Sequence, residues 1–128
     1  MTDFKARVIP DLAHLAFEDK HIKARKALVQ QTDDVQMNVY VLQPGGRIPA
    51  HQHSRSWDIS YVVAGRLESC YVEGGQSCRV VCQAGTVTLI PPGTVHEVTN
   101  PSETDAVTFL LIQSPAKDFD FLRAALPE

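Results

Sequence analysis

Apolar and polar residues alternate with a period of two through most of this chain, and turn-forming residues cut the alternation at short intervals. A period of two sends successive side chains to opposite faces, which is the pattern of half-buried strands. Strands are expected at 26–31, 35–43, 58–63, 68–73, 77–83, 86–90, 96–99 and 106–113. The breaks carry Thr32-Asp33-Asp34, Pro44-Gly45-Gly46, Gly74-Gly75, Ala84-Gly85 and Pro91-Pro92-Gly93, residues that accept positive φ or fix φ at a turn value. Gly74-Gly75 is the clearest hairpin tip. Many short strands with tight turns predict an all-β sandwich or barrel. Helical spacing is expected only at the ends, weakly over 10–20 and more clearly over 117–125, where Phe119, Phe121, Leu122 and Leu126 form an apolar stripe.

At 128 residues and 14.1 kDa the chain holds one domain with a core of its own. Its 44% hydrophobic and 21% charged residues place it among globular proteins and outside the disordered class. A net charge of -3, with no dense basic run, argues against a nucleic-acid partner. The opening residues hold acidic side chains and no apolar core, and no segment approaches the roughly 18 apolar residues of a membrane span. No membrane partner and a cytoplasmic location are the expectations. Cys70, Cys78 and Cys82 lack CxxC spacing and are an odd set, so three reduced, half-buried thiols are expected rather than a disulfide framework or a zinc ribbon.

His51 and His53 sit two apart in an extended stretch, so both imidazoles share one face and can converge on a metal, with Gln52 turned away. Asp58 follows five residues later, and His96 opens a strand just after Pro91-Pro92-Gly93. Together these residues resemble the cupin superfamily. Its first motif, G(X)5HXH(X)3-4E(X)6G, is matched over 45–65 by Gly45, His51, His53 and Gly65, with Asp58 in place of the usual Glu. Its second, G(X)5PXG(X)2H(X)3N, is matched over 85–100 by Gly85, Pro91, Gly93, His96 and Asn100. Only the carboxylate position departs from the pattern, so turns and histidines of both motifs coincide.

The resemblance implies a single cupin β-barrel over 1–128, a jelly roll or double-stranded β-helix, with terminal extensions at 1–24 and 114–128. It implies His51, His53 and His96 as metal ligands and Asp58 as a fourth, with one divalent transition metal per chain. Nitrogen-rich sites suit iron first, then nickel, copper or zinc, with manganese admitted if the carboxylate binds. Asp is one methylene shorter than Glu, which leaves three roles open for Asp58: direct ligand, ligand through water, or a group that orients a histidine. The shorter reach favours the last two. Asn100 reads as a turn residue bonding its own backbone.

Other polar residues have weaker functional readings. Trp57 could line the barrel mouth or pack on its outside, and Arg55 could hold a substrate carboxylate or lie solvated in a loop. Alternation from Asp58 puts Ser60 and Val62 inward and Ile59, Tyr61 and Val63 outward, so Ser60 could meet a substrate. Alternation leaves two inward sets open on the last strand, Phe109 with Leu111 or Thr108 with Leu110. Tyr40 and Tyr61 read as core tyrosines, and His14 and His21 as surface residues. The functional expectation is a metal-dependent enzyme acting on a small organic molecule, first of dioxygenase type, with Asp58 the one candidate proton-transfer group. A metal-assisted isomerase or lyase, or a non-catalytic small-molecule-binding cupin, are the alternatives. Single-domain relatives are commonly dimers, and Leu15, Phe17, Leu28 and Phe121 need burial, so a homodimer is expected.

Overall fold

The computed structural model describes residues 5–20 and 22–127. A 3-10 turn, Leu12–His14, is followed by eleven strands: β1 (Glu18–Lys20), β2 (Ala24–Gln31), β3 (Gln36–Leu42), β4 (Arg47–Gln52), β5 (Trp57–Ala64), β6 (Leu67–Glu73), β7 (Gln76–Cys82), β8 (Val87–Ile90), β9 (His96–Thr99), β10 (Val107–Ser114) and β11 (Leu122–Arg123). They form a six-stranded sheet ordered β1-β2-β3-β10-β5-β8 and a five-stranded sheet ordered β11-β4-β9-β6-β7. Every pairing among the described residues is antiparallel. This is the all-β double-stranded β-helix that the alternation and the motifs predict.

The core lies between the sheets, where Leu42, Val62, Val107 and Phe109 of one sheet meet Ile48, Leu67 and Cys82 of the other. On β10 the inward residues are Phe109 and Leu111, which resolves the alternation there. On β5 the buried positions are Asp58, Ser60 and Val62, as the alternation from Asp58 requires. Gly74 and Gly75, both at positive φ, close the β6–β7 hairpin between the paired Glu73 and Gln76. Gly65 ends β5 at φ +83°, and a Cβ there would stand 2.5 Å from the Ala106 carbonyl oxygen, so this turn admits no larger residue without displacing backbone. Asn100 is buried: its amide donates to the carbonyls of Leu42 and Asp105 at 3.0 and 2.8 Å, and its own oxygen accepts from Ser102 N–H. It ties the turn after β9 to the end of β3.

The carboxyl-terminal segment differs from expectation. Residues 117–125 form no helix: a turn at Lys117 and Asp118, closed by Phe119 N–H to Ala116 O, leads into a segment whose Leu122 and Arg123 pair with Gln52 and His51 on β4. A helix would have satisfied its backbone internally. Here the N–H groups of Ala116 and Lys117 donate to Asp33 O and that of Ala124 to Ala50 O, so the barrel supplies the partners. At the other end the helical segment is the 3-10 turn capped by Asp11. Cys70, Cys78 and Cys82 are free, the first and last buried. His14 is exposed beside Asp11, and His21 lies outside the described residues.

Candidate metal centre

Four donors meet across the sandwich. Strand β4 carries His51 and leads directly into His53; β9 opens with His96, paired opposite His51; β5 brings Asp58 from the other sheet. All four side chains are buried. Asp58 Oδ2 lies 2.8 Å from His96 Nε2, 3.0 Å from His53 Nε2 and 3.9 Å from His51 Nε2. The four donor atoms all fall within 4.8 Å of one another.

The opposite ring nitrogens decide what these atoms present to one another. His51 Nδ1 faces Pro49 O at 2.7 Å, His96 Nδ1 faces Thr94 O at 2.8 Å, and His53 Nδ1 faces Asp120 O at 2.7 Å. A carbonyl oxygen can only accept, so each Nδ1 carries the hydrogen and donates. In the neutral imidazole the Nε2 lone pair is then aimed at the centre, and so are the lone pairs of a carboxylate. Buried lone pairs facing one another repel unless a cation lies among them. Ligands about 2.0 to 2.2 Å from one ion and at right angles are about 3 Å apart, the spacing Asp58 keeps to His53 and His96. The donor set therefore fits a divalent metal.

Titration follows the same geometry. Burial works against the Asp58 carboxylate, but whenever a ring takes up a second proton its Nε2 turns from acceptor to donor, and such contacts from His51, His53 and His96 outweigh the burial and hold the Asp58 pKa well below the usual carboxylate range. Burial pushes His51 down, more than the attraction of Asp58, 3.9 Å away, restores. At His53 burial is outweighed by Asp58 and Asp120, and the pKa rises. Protons and metal compete for these nitrogens, so metal binding weakens toward acid pH.

Aromatic rings from the terminal segment close the histidines off from outside. Phe121 stacks on His51 with centroids 4.1 Å apart and planes 14° from parallel, and Phe119 lies 4.8 Å from the His53 ring. Asp120 fixes the segment, its carboxylate accepting from Ser54 N–H at 2.8 Å and Ser54 O–H at 2.5 Å. Sequence reading placed these phenylalanines on a helix and so missed them as walls of the site; the Phe119-Asp120-Phe121 alternation was the available signal. Phe17, expected to need a partner subunit, lies beneath the Arg25 guanidinium, 5.1 Å from it.

Inside the barrel, His51, Asp58 and His96 face a cavity of about 20 Å³, room for one water, bounded by Ser60, Ser69, Thr88 and apolar side chains. Ser60 is thus where expected, and it hydrogen-bonds Thr88 directly across the β5–β8 pair. Trp57 and Arg55 are elsewhere. Trp57 is 44% exposed on the outer face, and Arg55 pairs with Asp118 in solvent at 3.2 Å. Neither lines the cavity.

Tyr40 is stacked on Phe109 with centroids 5.5 Å apart. Burial, and secondarily the Asp58 charge, push its pKa up to about 12. An unfolded tyrosine ionises near 10, so the stability held by the neutral phenol is complete below about pH 10 and lost as pH rises through the folded value. Denaturant titrations should show wild type losing roughly 2 to 3 kcal/mol relative to Tyr40→Phe between pH 9 and 12. A constant difference across that range would show that Tyr40 is not the titrating group.

The comparisons agree with this architecture. The family described as Cupin domain matches residues 38–112, more than half of the chain. Oxalate oxidase GF-3.8 of Triticum aestivum is 35% identical over 91 residues, covering 66% of this chain and 41% of that protein, so the chain spans less than half of that relative. An uncharacterized conserved protein with a double-stranded beta-helix domain from Klebsiella pneumoniae subsp. pneumoniae MGH 78578 superposes with a TM-score of 0.76 at 21% identity, covering 94% of this chain and 100% of that one. KdgF from Halomonas sp. superposes with a TM-score of 0.71 at 22% identity, covering 89% and 97%. These two likenesses concern the fold. With the family matched across both sheets and all four donors of its two motifs brought together, the chain belongs to the cupin family.

Proposed function

We propose that the protein is a metal-dependent enzyme that oxidises a small organic molecule at a centre held by His51, His53, His96 and Asp58. The observation that carries this reading is the convergence of three Nδ1-anchored imidazoles and one buried carboxylate on one point. A bound divalent transition metal, iron first in expectation, would supply Lewis acidity and one-electron chemistry there. The Asp58 oxygen within 3.0 Å of two imidazole nitrogens supports a direct ligand role. That role commits Asp58 Oδ2 to the ion, and a carboxylate held so far below the usual range is a weak general base. The other polar groups lining the cavity are hydroxyls, which can orient a substrate but not abstract its proton at neutral pH. Isomerisation through a side-chain base is therefore less well supported than oxidation. The apolar walls, Phe109 and Leu111 among them, exclude water from the reacting atoms. Anaerobic protein should take up one metal per chain, and adding oxygen together with a substrate should consume both; metal-replete protein inert to oxygen with every candidate would defeat the oxidative reading.

The homodimer belongs to this proposal, on a face the sequence did not single out. The outer surface of β10 and β5 presents Trp57, Ile59, Tyr61, Val63, Leu110 and Ile112 with no charged residue among its outward positions. Trp57, Tyr61 and Val63 are 44%, 41% and 38% exposed, an apolar surface of the kind that a second copy covers. Light scattering should give twice the chain mass, and Trp57→Glu should weaken the dimer by about 2 kcal/mol or more. A monomeric wild type at micromolar concentration would rule this interface out.

A further inference from the structure

Strand β7 is last in one sheet and β8 is last in the other, and between these two edges runs a groove of about 500 Å³. Its inner end is continuous with the metal centre: Ser69, Thr88 and Ile90 line both the groove and the small cavity faced by His51, Asp58 and His96. The Ser60–Thr88 hydroxyl pair stands at the junction. Space on the metal side suits a single functional group, whereas the groove has the size of a small-molecule site.

Charge then restricts what can lie there. Among the described residues no lysine or arginine lines either space. Glu73 is the one carboxylate among the described residues of the groove, whose walls include Val80, Cys82, Val87, Leu89 and Tyr71 with the hydroxyls of Thr86 and Thr94. A carboxylate brought into such a site loses its hydration with no cation besides the metal to replace it, and meets Glu73 on the way. A hydroxyl or carbonyl loses far less and finds donors in Ser60, Ser69 and Thr88.

We infer that the groove between β7 and β8 binds the substrate of the proposed metal centre, and that this substrate is an uncharged, largely apolar molecule presenting a hydroxyl or carbonyl oxygen to the metal. The inference rests on the metal reading above, and its test separates the two. Protein loaded with Mn(II) is first assayed for metal content, then titrated with catechol, which enters the groove uncharged and releases its proton only at the metal, and with oxalate, which enters as a dianion, following the Mn(II) electron paramagnetic resonance signal. Wild type should bind catechol at least 10-fold more tightly than oxalate. Val80 is 46% exposed on the edge strand β7, so replacements there are tolerated by the fold. Val80→Trp should weaken catechol at least 10-fold with metal content unchanged, and Val80→Lys, which adds a cation to the groove, should move the preference toward oxalate. Tighter oxalate binding by wild type, or catechol binding indifferent to both substitutions in metal-replete protein, overturns the groove alone. Wild type that takes up neither Mn(II) nor Fe(II) overturns the centre and the groove together.

Discussion

His96→Ala should leave a folded chain with less than about a tenth of the wild-type metal content after equilibration with one equivalent of Fe(II) or Mn(II). The substitution removes one of four donors, and loss of even a group that merely supports a ligand costs about 10- to 100-fold in metal affinity. A direct ligand should cost more. His96 begins β9, where its backbone pairs with β4 and β6, so the strand survives truncation of the side chain. The deletion also takes away the imidazole nearest Asp58, 2.8 Å from Oδ2, which when protonated is its closest counter-charge, and leaves a buried carboxylate with fewer partners. Metal-free wild type should therefore be more stable than the variant, and the gap should widen when metal is added, since metal stabilises only a folded state that binds it. Elemental analysis and thermal unfolding, each with and without metal, check both halves. Equal metal content in the two proteins would place the ion somewhere else.

Much of this centre was legible because its donors are tied to strand geometry. His51 and His53 share a face through the period of two, and His96 follows a turn whose proline and glycine identify it locally. Strand β4 was not foreseen, although it carries His51, because Pro49 interrupts the alternation and cannot donate to a ladder. A β-bulge between Ile48 and His51 accommodates it, with Ala50 N–H donating to the Glu97 carboxylate at 3.2 Å. Asp58 sits near the start of β5, aimed across the sandwich at both histidine strands, so backbone position as well as side-chain length sets how near its carboxylate comes to their nitrogens.

The terminal segment was illegible for a different reason. Phe119, Phe121 and Leu122 satisfy a helical stripe as well as an extended one, and so short a pattern does not separate the two periods. Tertiary partners decide it: His53 Nδ1 needs an acceptor, which Asp120 O provides, and the His51 ring needs cover, which Phe121 provides. The same holds for Thr88, which sequence reading passed over. Only the register of β5 on β8 sets it against Ser60 at the cavity wall. Local pattern reports which face a side chain takes, whereas the identity of what it meets across the sandwich is set by topology.

Phe109→Ala is the sharpest test of how the barrel core and the centre depend on each other, with an expected loss of about 3 to 5 kcal/mol in stability. Phe109 is fully buried, stands opposite Val62 on β5 and Tyr40 on β3, and borders the metal-facing cavity. Two hydrogen-bonded sheets hold its surroundings apart, so the space left by the ring cannot collapse and the cost falls toward the upper end. With total stabilities of about 5 to 15 kcal/mol, that is a large fraction of what keeps a domain folded. Urea unfolding should show a lower midpoint with an unchanged slope. Phe109→Leu, which fills most of the volume, should recover all but about 1 to 2 kcal/mol. No donor is touched, so metal content of the folded variant should stay at the wild-type level while the cavity beside the centre grows. A variant that keeps its stability but loses its metal would mean that Phe109 positions the donors rather than filling the core.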